Sequence, residues 1–437
     1  MPNFPNREQL RAAQLQGLRA LLHATLPANK FWQRKFANSG IDTGVASLEA
    51  FIQAAPLVTK AELIEDQRAA PPFGVNLNEP RERYTRFSQT SGTAGQPLRW
   101  ADTDASWSWM VDNWVEVFEA AEVERSAAVF FAFSFGPFLG FWTAFEAAQR
   151  RGNLCIPGGG MSSTVRLKNI LDLKPAALCC TPTYALRLAE VAAAEGFDLS
   201  KSGVRTLIVA GESGGSVPAV RARLEAAWAG ARVRDHHGMT EVGPVSIPCS
   251  TRPDVLHILE ARYLAEVLDP QTLKSIPPGG AGELILTPLG RTGMPLFRYR
   301  TGDWVRRAPD EVCACGRHDM AIEGGILGRT DDMLCVRGVN VYPSAVEDLL
   351  RACVELTEYR VRVRTERGMT ELAIDTEFAG LDADDARAVA LARALEEKFR
   401  AAFALRVPIA PVAPGSLPRF EMKARRWVRE AAPEAAT

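Results

Sequence analysis

An α/β fold in two unequal parts is predicted by three observations. Short apolar runs without strict alternation, AAVFFAF (127–133), AALCC (176–180) and RTLIVAG (205–211), read as buried strands. Segments rich in Ala, Leu and Arg lie between and after them, at Ala185 to Ala194 and Val217 to Ala227, and read as helices. Strands of this kind interleaved with helices indicate mainly parallel sheets covered on both faces. Beyond Gly328 the pattern changes to half-exposed strands and one long amphipathic helix, which predicts a small α+β C-terminal domain. A length of 437 residues accommodates two or three domains.

In chain order, the apolar spacing from Arg7 to Phe51 is helical. Arg83 to Phe87 is a plausible strand leading into a Ser/Thr/Gly-rich stretch, and Trp107, Trp109 and Trp114 fit the packing side of a helix. Ser126 to Phe145 is uncharged and long enough to span a bilayer. Ser134, Gly136-Pro137 and Gly140 would break a spanning helix and leave backbone groups unpaired in lipid, so it reads as strand, turn and helix start. From Cys249, stretches such as ARYLAEVLD and GELILTPL are separated by PPGG and RTGMP turns, which predicts a β subdomain over about 249–328. EYRVRVRT, TELAIDTEF and the helix from Ala383 to Ala404 fill the C-terminal domain at 329–437.

Lys plus Arg total 51 against 52 Asp plus Glu, a formal charge of −1, so no overall field draws the chain to nucleic acid or an anionic membrane. The N-terminus lacks a basic stretch followed by an apolar one, so a cytoplasmic protein is expected.

Four clusters carry chemistry. In Ser88-Gln-Thr-Ser-Gly-Thr-Ala-Gly-Gln-Pro97, glycines allow a tight backbone whose N–H groups converge on one anion, and hydroxyls add donors. The GxxxxGK spacing of nucleotide hydrolases is absent. In Asp235-His-His-Gly-Met-Thr-Glu-Val-Gly-Pro244, Thr240 offers a hydroxyl and Glu241 a hard carboxylate suited to Mg²⁺. Asp303, following a glycine turn in Tyr299-Arg-Thr-Gly-Asp-Trp304, could accept hydrogen bonds from a ribose diol. The fourth cluster runs from Gly328 to Pro343 across the domain boundary.

In this order and spacing the clusters resemble the adenylate-forming superfamily, most closely its phenylacetate-CoA ligase family, over nearly the whole chain. GRTDDMLCVRGVNVYPSAVE and LPRFEMKARR are similar to its hinge region and terminal lysine motif. The resemblance implies an acid–thiol ligase using ATP, Mg²⁺ and CoA on a small carboxylic acid. Transfer of the acyl group to a carrier protein or an amine is an alternative, a degenerate nucleotide-binding protein is another, and a homodimer is left open.

By resemblance, Thr90, Ser91, Gly92, Thr93 and Gly95 would hold the ATP β/γ-phosphates, and Ala210, Gly211, Glu212, Asp235, His236 and His237 would flank adenine. Thr240 would meet the α-phosphate, Glu241 the Mg²⁺, Asp303 the ribose hydroxyls and Arg329 the ribose or a phosphate. Asp331 would be the hinge, Gly338 would reach the CoA channel, and Lys423 would bridge carboxylate and α-phosphate. Gln96 departs from the pattern by standing where the phosphate loop usually carries Lys, and Phe420 and Met422 replace smaller residues. His237 stands where many relatives carry Tyr.

Cys249, His257, Cys313 and Cys315 form a Cys₃His set of the kind structural zinc prefers, with buried free cysteines and a solvent-facing His257 as the alternative. Cys155, Cys179, Cys180, Cys335 and Cys353 lie in apolar runs and read as core. Phe133, Phe135, Gly136 and Phe138 are candidates for an acyl pocket suited to a small aromatic or compact hydrophobic acid.

Overall fold

The computed structural model describes residues 4–90, 96–309, 312–330, 334–337, 339–366, 369–420 and 424–430. Four helices lead the chain, Arg7–Thr25, Lys30–Phe36, Leu48–Ala54 and Lys60–Ala69. Each begins on a side-chain cap: Asn6, Asn29, Ser47 and Thr59 accept from the backbone N–H three residues on, which satisfies a donor that the first turn leaves over.

Strands Tyr84–Gln89 and Arg99–Thr103 form an antiparallel hairpin around the Ser/Thr/Gly-rich stretch. Next comes a five-stranded, wholly parallel sheet in the order Leu154–Pro157, Ala128–Phe131, Ala177–Cys180, Thr206–Val209, Arg232–Asp235. Its helical crossovers are Leu139–Arg151, Ser163–Leu173, Pro182–Glu195 and Pro218–Ala227. Strand Ala128–Phe131 pairs on one side with the strand that follows it and on the other with Ala177–Cys180, so the winding direction reverses there. Open α/β sheets take ligands at the carboxyl ends beside such a reversal. The loops leaving those ends hold residues 132–138, 210–212 and 236–237.

The remaining large sheet of the N-terminal part has the strand order Ser246–Pro248, Val255–Ile258, Ala321–Arg329, Tyr299–Arg307, Ala281–Pro288, Tyr263–Leu268. All pairings between its strands are antiparallel. Its strands are linked by turns and loops that contain no helical crossover. The expected glycine turn before Asp303 is instead a bulge inside strand Tyr299–Arg307, with Gly302 at φ +75°.

The C-terminal domain orders its strands Val339–Val341, Leu334–Val336, Met369–Phe378, Leu356–Glu366, Trp427–Arg429, with Ile409–Pro411 also paired to Met369–Phe378. Helices Pro343–Arg351 and Ala386–Phe403 bury Val346, Leu350, Ala392 and Phe399 in its core. No helix among the described residues is long and apolar enough to cross a membrane.

Candidate active site

The hairpin around the Ser/Thr/Gly-rich stretch is tied to the Thr240–Glu241 turn by a buried cation. Arg291 is 1% exposed; its Nε and Nη2 donate to the two oxygens of Asp102 at 2.7 and 2.6 Å, and its Nη1 donates to the Thr240 carbonyl at 2.6 Å. The guanidinium lies over the Trp100 ring. Thr90 closes the hairpin neck: its backbone N–H donates to Leu98, and its hydroxyl accepts from the Leu98 N–H at 3.0 Å. Ser91, Gly92, Thr93 and Gly95 lie outside the described residues.

Glu241 is a 2%-exposed carboxylate next to that turn. Tyr299 donates its hydroxyl to Oε1 at 3.3 Å, and Lys60 Nζ lies 3.1 Å from the same oxygen. Asp303 Oδ2 meets His237 Nε2 at 2.9 Å, and Oδ1 accepts from Arg329 Nη1 at 3.1 Å. A carboxylate facing Nε2 fixes the proton there in the neutral ring, which makes Nδ1 an acceptor. Nδ1 is buried and has no hydrogen-bond partner among the described residues, a cost that a ligand donor would remove. Gly302 permits this arrangement, because a Cβ there would come within 2.7 Å of Arg329 Nη2.

Three predicted adenine-flanking side chains are engaged elsewhere. The Asp235 carboxylate accepts from Ser216 Oγ at 2.6 Å and from the His236 N–H at 3.0 Å, and burial raises its pKa. A Cβ on Gly215 would strike it. The His236 ring packs on Trp114, with centroids 4.3 Å apart, and Nδ1 donates to the Ser246 carbonyl at 2.7 Å. Burial pushes its pKa down to about 3 and keeps it neutral. Both side chains therefore support the turn and leave only main chain to line a base. Glu212 accepts from the Thr183 N–H at 2.8 Å and the Ala424 N–H at 3.1 Å, so its carboxylate clamps the terminal segment. Ala210 donates to the Cys180 carbonyl, and Gly211 takes φ +94°.

Ala424 follows Lys423 directly, so the Glu212 clamp brings the chain beside that lysine to the carboxyl ends of the parallel sheet. Arg426 adds a bond to Thr183 Oγ1 at 3.3 Å and is held from behind by Glu358, at 2.6 and 3.1 Å. Lys423, Asp331 and Gly338 themselves lie outside the described residues.

The acyl-pocket candidates separate. Phe135 and Gly136 line a cavity of about 750 Å³ together with Trp142, Phe145, Pro157 and Met161. Trp142 Nε1 donates to the Gly136 carbonyl at 3.0 Å, and Pro137 accepts from the Gln89 N–H at 2.9 Å, which joins this wall to the hairpin neck. Phe133 belongs to the main apolar core together with Phe131, while Phe130 and Ala132, which alternate with them, join the second core, so Phe133 is spent on packing. Phe138 packs against Gly136 and is not among the lining residues.

The ligand atoms of Cys249, His257, Cys313 and Cys315 all lie within 4.8 Å of one another. Cys249 and Cys313 sulfurs are 3.6 Å apart, and Cys315 Sγ is 3.4 Å from His257 Nε2. Tetrahedral zinc with bonds of about 2.3 Å to sulfur places sulfurs about 3.8 Å apart. Against the desolvation that would raise it, hydrogen bonds from His257 and Thr251 lower the Cys249 thiol to about 5. His257 is fully buried, which overturns the solvent-facing alternative, and its Nδ1 lies 3.4 Å from the Asp319 carbonyl. Cys179, Cys180 and Cys353 are buried and Cys155 is half-buried.

Sequence reasoning missed Lys60, Ser216, Tyr299, Thr183, Arg426 and the Arg291–Asp102 pair. Of these, Tyr299 and Arg426 lie inside the motifs singled out above, and Lys60 follows the Thr59-x-x-Glu62 capping box that starts its helix.

The family model described as AMP-binding enzyme matches residues 34–289, and that of the AMP-binding enzyme C-terminal domain matches residues 338–430. The phenylacetate-coenzyme A ligase of Thermus thermophilus is 32% identical over 377 residues, covering 85% of this chain and 82% of that protein. The Escherichia coli K12 phenylacetate-coenzyme A ligase is 28% identical, with 96% and 94% covered. A 2-hydroxyisobutyryl-CoA ligase solved in its postadenylation state with 2-HIB-AMP superposes at a TM-score of 0.91, with 28% identity, 98% of this chain and 91% of that one. The same ligase in its thioesterification state, with 29% identity and the same coverage, superposes at only 0.72. With sequence identity and coverage nearly equal, this chain superposes better on that ligase's postadenylation form than on its thioesterification form.

Proposed function

The chain belongs to the AMP-binding enzyme family, and from that premise we propose that it is an ATP-dependent carboxylate–CoA ligase working through an acyl-adenylate. The observation that carries the reading is the convergence of Thr240, Glu241, His237, Asp303 and Arg329 beside the carboxyl ends of a parallel sheet, with the segment after Lys423 clamped there by Glu212. In the first half-reaction an acid oxygen forms a bond to the α-phosphorus as the bond to pyrophosphate breaks. In the second, the CoA sulfur bonds to the acyl carbon, and AMP leaves with the electron pair of the cleaved C–O bond.

The residues divide these tasks. Asp303, held between His237 and Arg329, is the carboxylate that would accept from a ribose diol. His237 Nδ1, without a partner among the described residues, fits a donor on a bound base. Glu241 is the hard oxygen that would hold Mg²⁺, and the ion would offset the charge of approaching anions. Lys423, by resemblance, adds an ammonium between carboxylate and α-phosphate. Rotation about Asp331 would then remove Lys423 and bring Gly338 to the CoA channel, because one site serves two reactions.

The acid is proposed to be a small aromatic or compact hydrophobic one, since Phe135, Trp142 and Phe145 wall the cavity with rings. Zinc is proposed to be held by Cys249, His257, Cys313 and Cys315, a four-ligand set without an open position and hence structural. It would pin strand Val255–Ile258 to the turn preceding strand Ala321–Arg329, which ends on Arg329. The test incubates the protein with ATP, Mg²⁺, CoA and an acid library. Acid-dependent AMP release with thioester formation is expected; ADP release, or no acid-dependent pyrophosphate exchange with any acid, refutes the reading.

A further inference from the structure

The phosphate loop from Ser91 to Gln96 carries no Lys or Arg, although a triphosphate brings several negative charges to it. Two cations described at the site are committed: Arg291 to Asp102 in the core, and Arg329 to Asp303. Lys60 differs. Its side chain is 42% exposed while its partner Glu241 is 3% exposed, so the ammonium lies where the buried carboxylate meets solvent.

The backbone, and not the side chain alone, places Lys60 there. Val58 forms a parallel bridge with Tyr299, donates to the Arg298 carbonyl at 3.2 Å and accepts from the Arg300 N–H at 2.9 Å. Arg298 in turn donates to the Ala55 carbonyl at 2.6 Å and, through two nitrogens, to Glu266. Thr59 then caps the helix, reciprocated by Glu62, and fixes Lys60 in its first turn. Residues 55–60 are thus fastened to the strand that carries Tyr299 and Asp303.

We propose that Lys60 is a nucleotide-binding residue whose ammonium rests on Glu241 in the free protein and contacts the β- or γ-phosphate of ATP when Mg²⁺ takes that carboxylate. The proposal rests on the ligase reading and extends it. Glu241 cannot give its charge both to Lys60 and to a divalent ion at full strength, and a phosphate oxygen is the anion that arrives together with the ion. A four-carbon stem starting on a fixed helix turn allows the exchange by rotation of the side chain alone.

The experiment measures binding by calorimetry on the full chain, without acid or CoA, using Mg²⁺-ATP, Mg²⁺-pyrophosphate and AMP as probes. Lys60→Met is expected to weaken ATP and pyrophosphate about tenfold, the scale of one charge-assisted hydrogen bond, while AMP stays within about twofold. Lys60→Arg should retain most ATP affinity. Equal loss for ATP and AMP, or no loss for either, overturns the proposal. Should Lys60→Met unfold by leaving Glu241 unpaired, the comparison moves to the Glu241→Gln background, where no carboxylate depends on Lys60. There, adding Lys60→Met should still weaken pyrophosphate more than AMP, and an unchanged ratio overturns the proposal. Acid-dependent pyrophosphate exchange by the unmodified protein is run alongside, so failure of the ligase reading is seen separately.

Discussion

Replacing Asp102 by Asn should destabilise the protein far more than a surface charge change would, because it leaves the Arg291 guanidinium buried without an anion. The ion pair is 1% and 0% exposed, and both donor–oxygen distances, 2.7 and 2.6 Å, are short charge-assisted bonds. Breaking such a pair costs about 3–5 kcal/mol. For an unfolding unit of about 330 residues that corresponds to a fall of roughly 4–7 °C in Tm. Calorimetry and urea titration of Asp102→Asn measure it. The double variant Asp102→Leu with Arg291→Met removes both charges and should recover most of the loss, since apolar replacement of a whole buried pair is often neutral. Activity should not recover with it, because the Thr240 carbonyl has lost the donor held at 2.6 Å. A cost under about 1 kcal/mol for Asp102→Asn, or a double variant as unstable as the single one, refutes the reasoning.

Cys313→Ser should lower metal content and Tm together, measured by elemental analysis and calorimetry; a stable, active protein without zinc rejects the metal site. Lys423→Ala should lose adenylation yet form thioester from a supplied acyl-adenylate, and equal loss of both half-reactions would argue against domain alternation. His236 has a folded pKa of about 3 against 6.5 unfolded, so the unfolded state binds the extra proton between those values. Stability should then fall as pH drops from about 6.5 toward 3, by up to about 1.4 kcal/mol per pH unit, and His236→Asn should flatten that slope in pH-dependent melts. Phe135→Ala should shift pyrophosphate exchange toward larger acids by enlarging the cavity it lines; a faster reaction of the unmodified protein with a long-chain acid would show that these rings do not limit acid length.

Periodicity made the parallel sheet legible, since strands Ala128–Phe131, Ala177–Cys180 and Thr206–Val209 each fall inside an apolar run. The antiparallel sheet was legible as β structure but not in its order, because pairing between Val255–Ile258 and Ala321–Arg329 spans too much chain for local pattern to encode. At the site, motif order indicated which turns assemble but not which way each side chain points. Asp235, His236 and His237 are consecutive in one motif, yet the first two are spent on Ser216 and Ser246 while the third meets Asp303. Nothing local distinguishes them. Lys60 and Arg291 act through partners far away in sequence, Glu241 and Asp102, and a lone Lys or Arg in a sequence reads as surface.

The proposed alternation needs a C-terminal domain that is ordered when docked and cheap to release, and the contacts in this arrangement meet both needs. The apolar cluster of the C-terminal domain contains only residues from 334 onward, and the two N-terminal clusters contain none of them. No buried core among the described residues therefore has to be torn open by rotation. What joins the parts is mainly polar: Ala424 to Glu212 at 3.1 Å, Arg426 to Thr183 at 3.3 Å, Arg223 to the Leu356 carbonyl at 2.8 Å, and the stacked rings of Trp304 and Tyr342. Hydrogen bonds of this kind contribute about 0.5–1.5 kcal/mol each, so the set amounts to a few kcal/mol. A ligand preferring one arrangement by about 5.5 kcal/mol would reverse a 1:99 population, and a smaller preference suffices when the two are closer. Glu212 has a particular place in that balance. Its carboxylate holds the N–H beside Lys423 while standing on the turn expected to border the nucleotide, so a change at the nucleotide that displaces this one side chain would loosen the terminal segment directly.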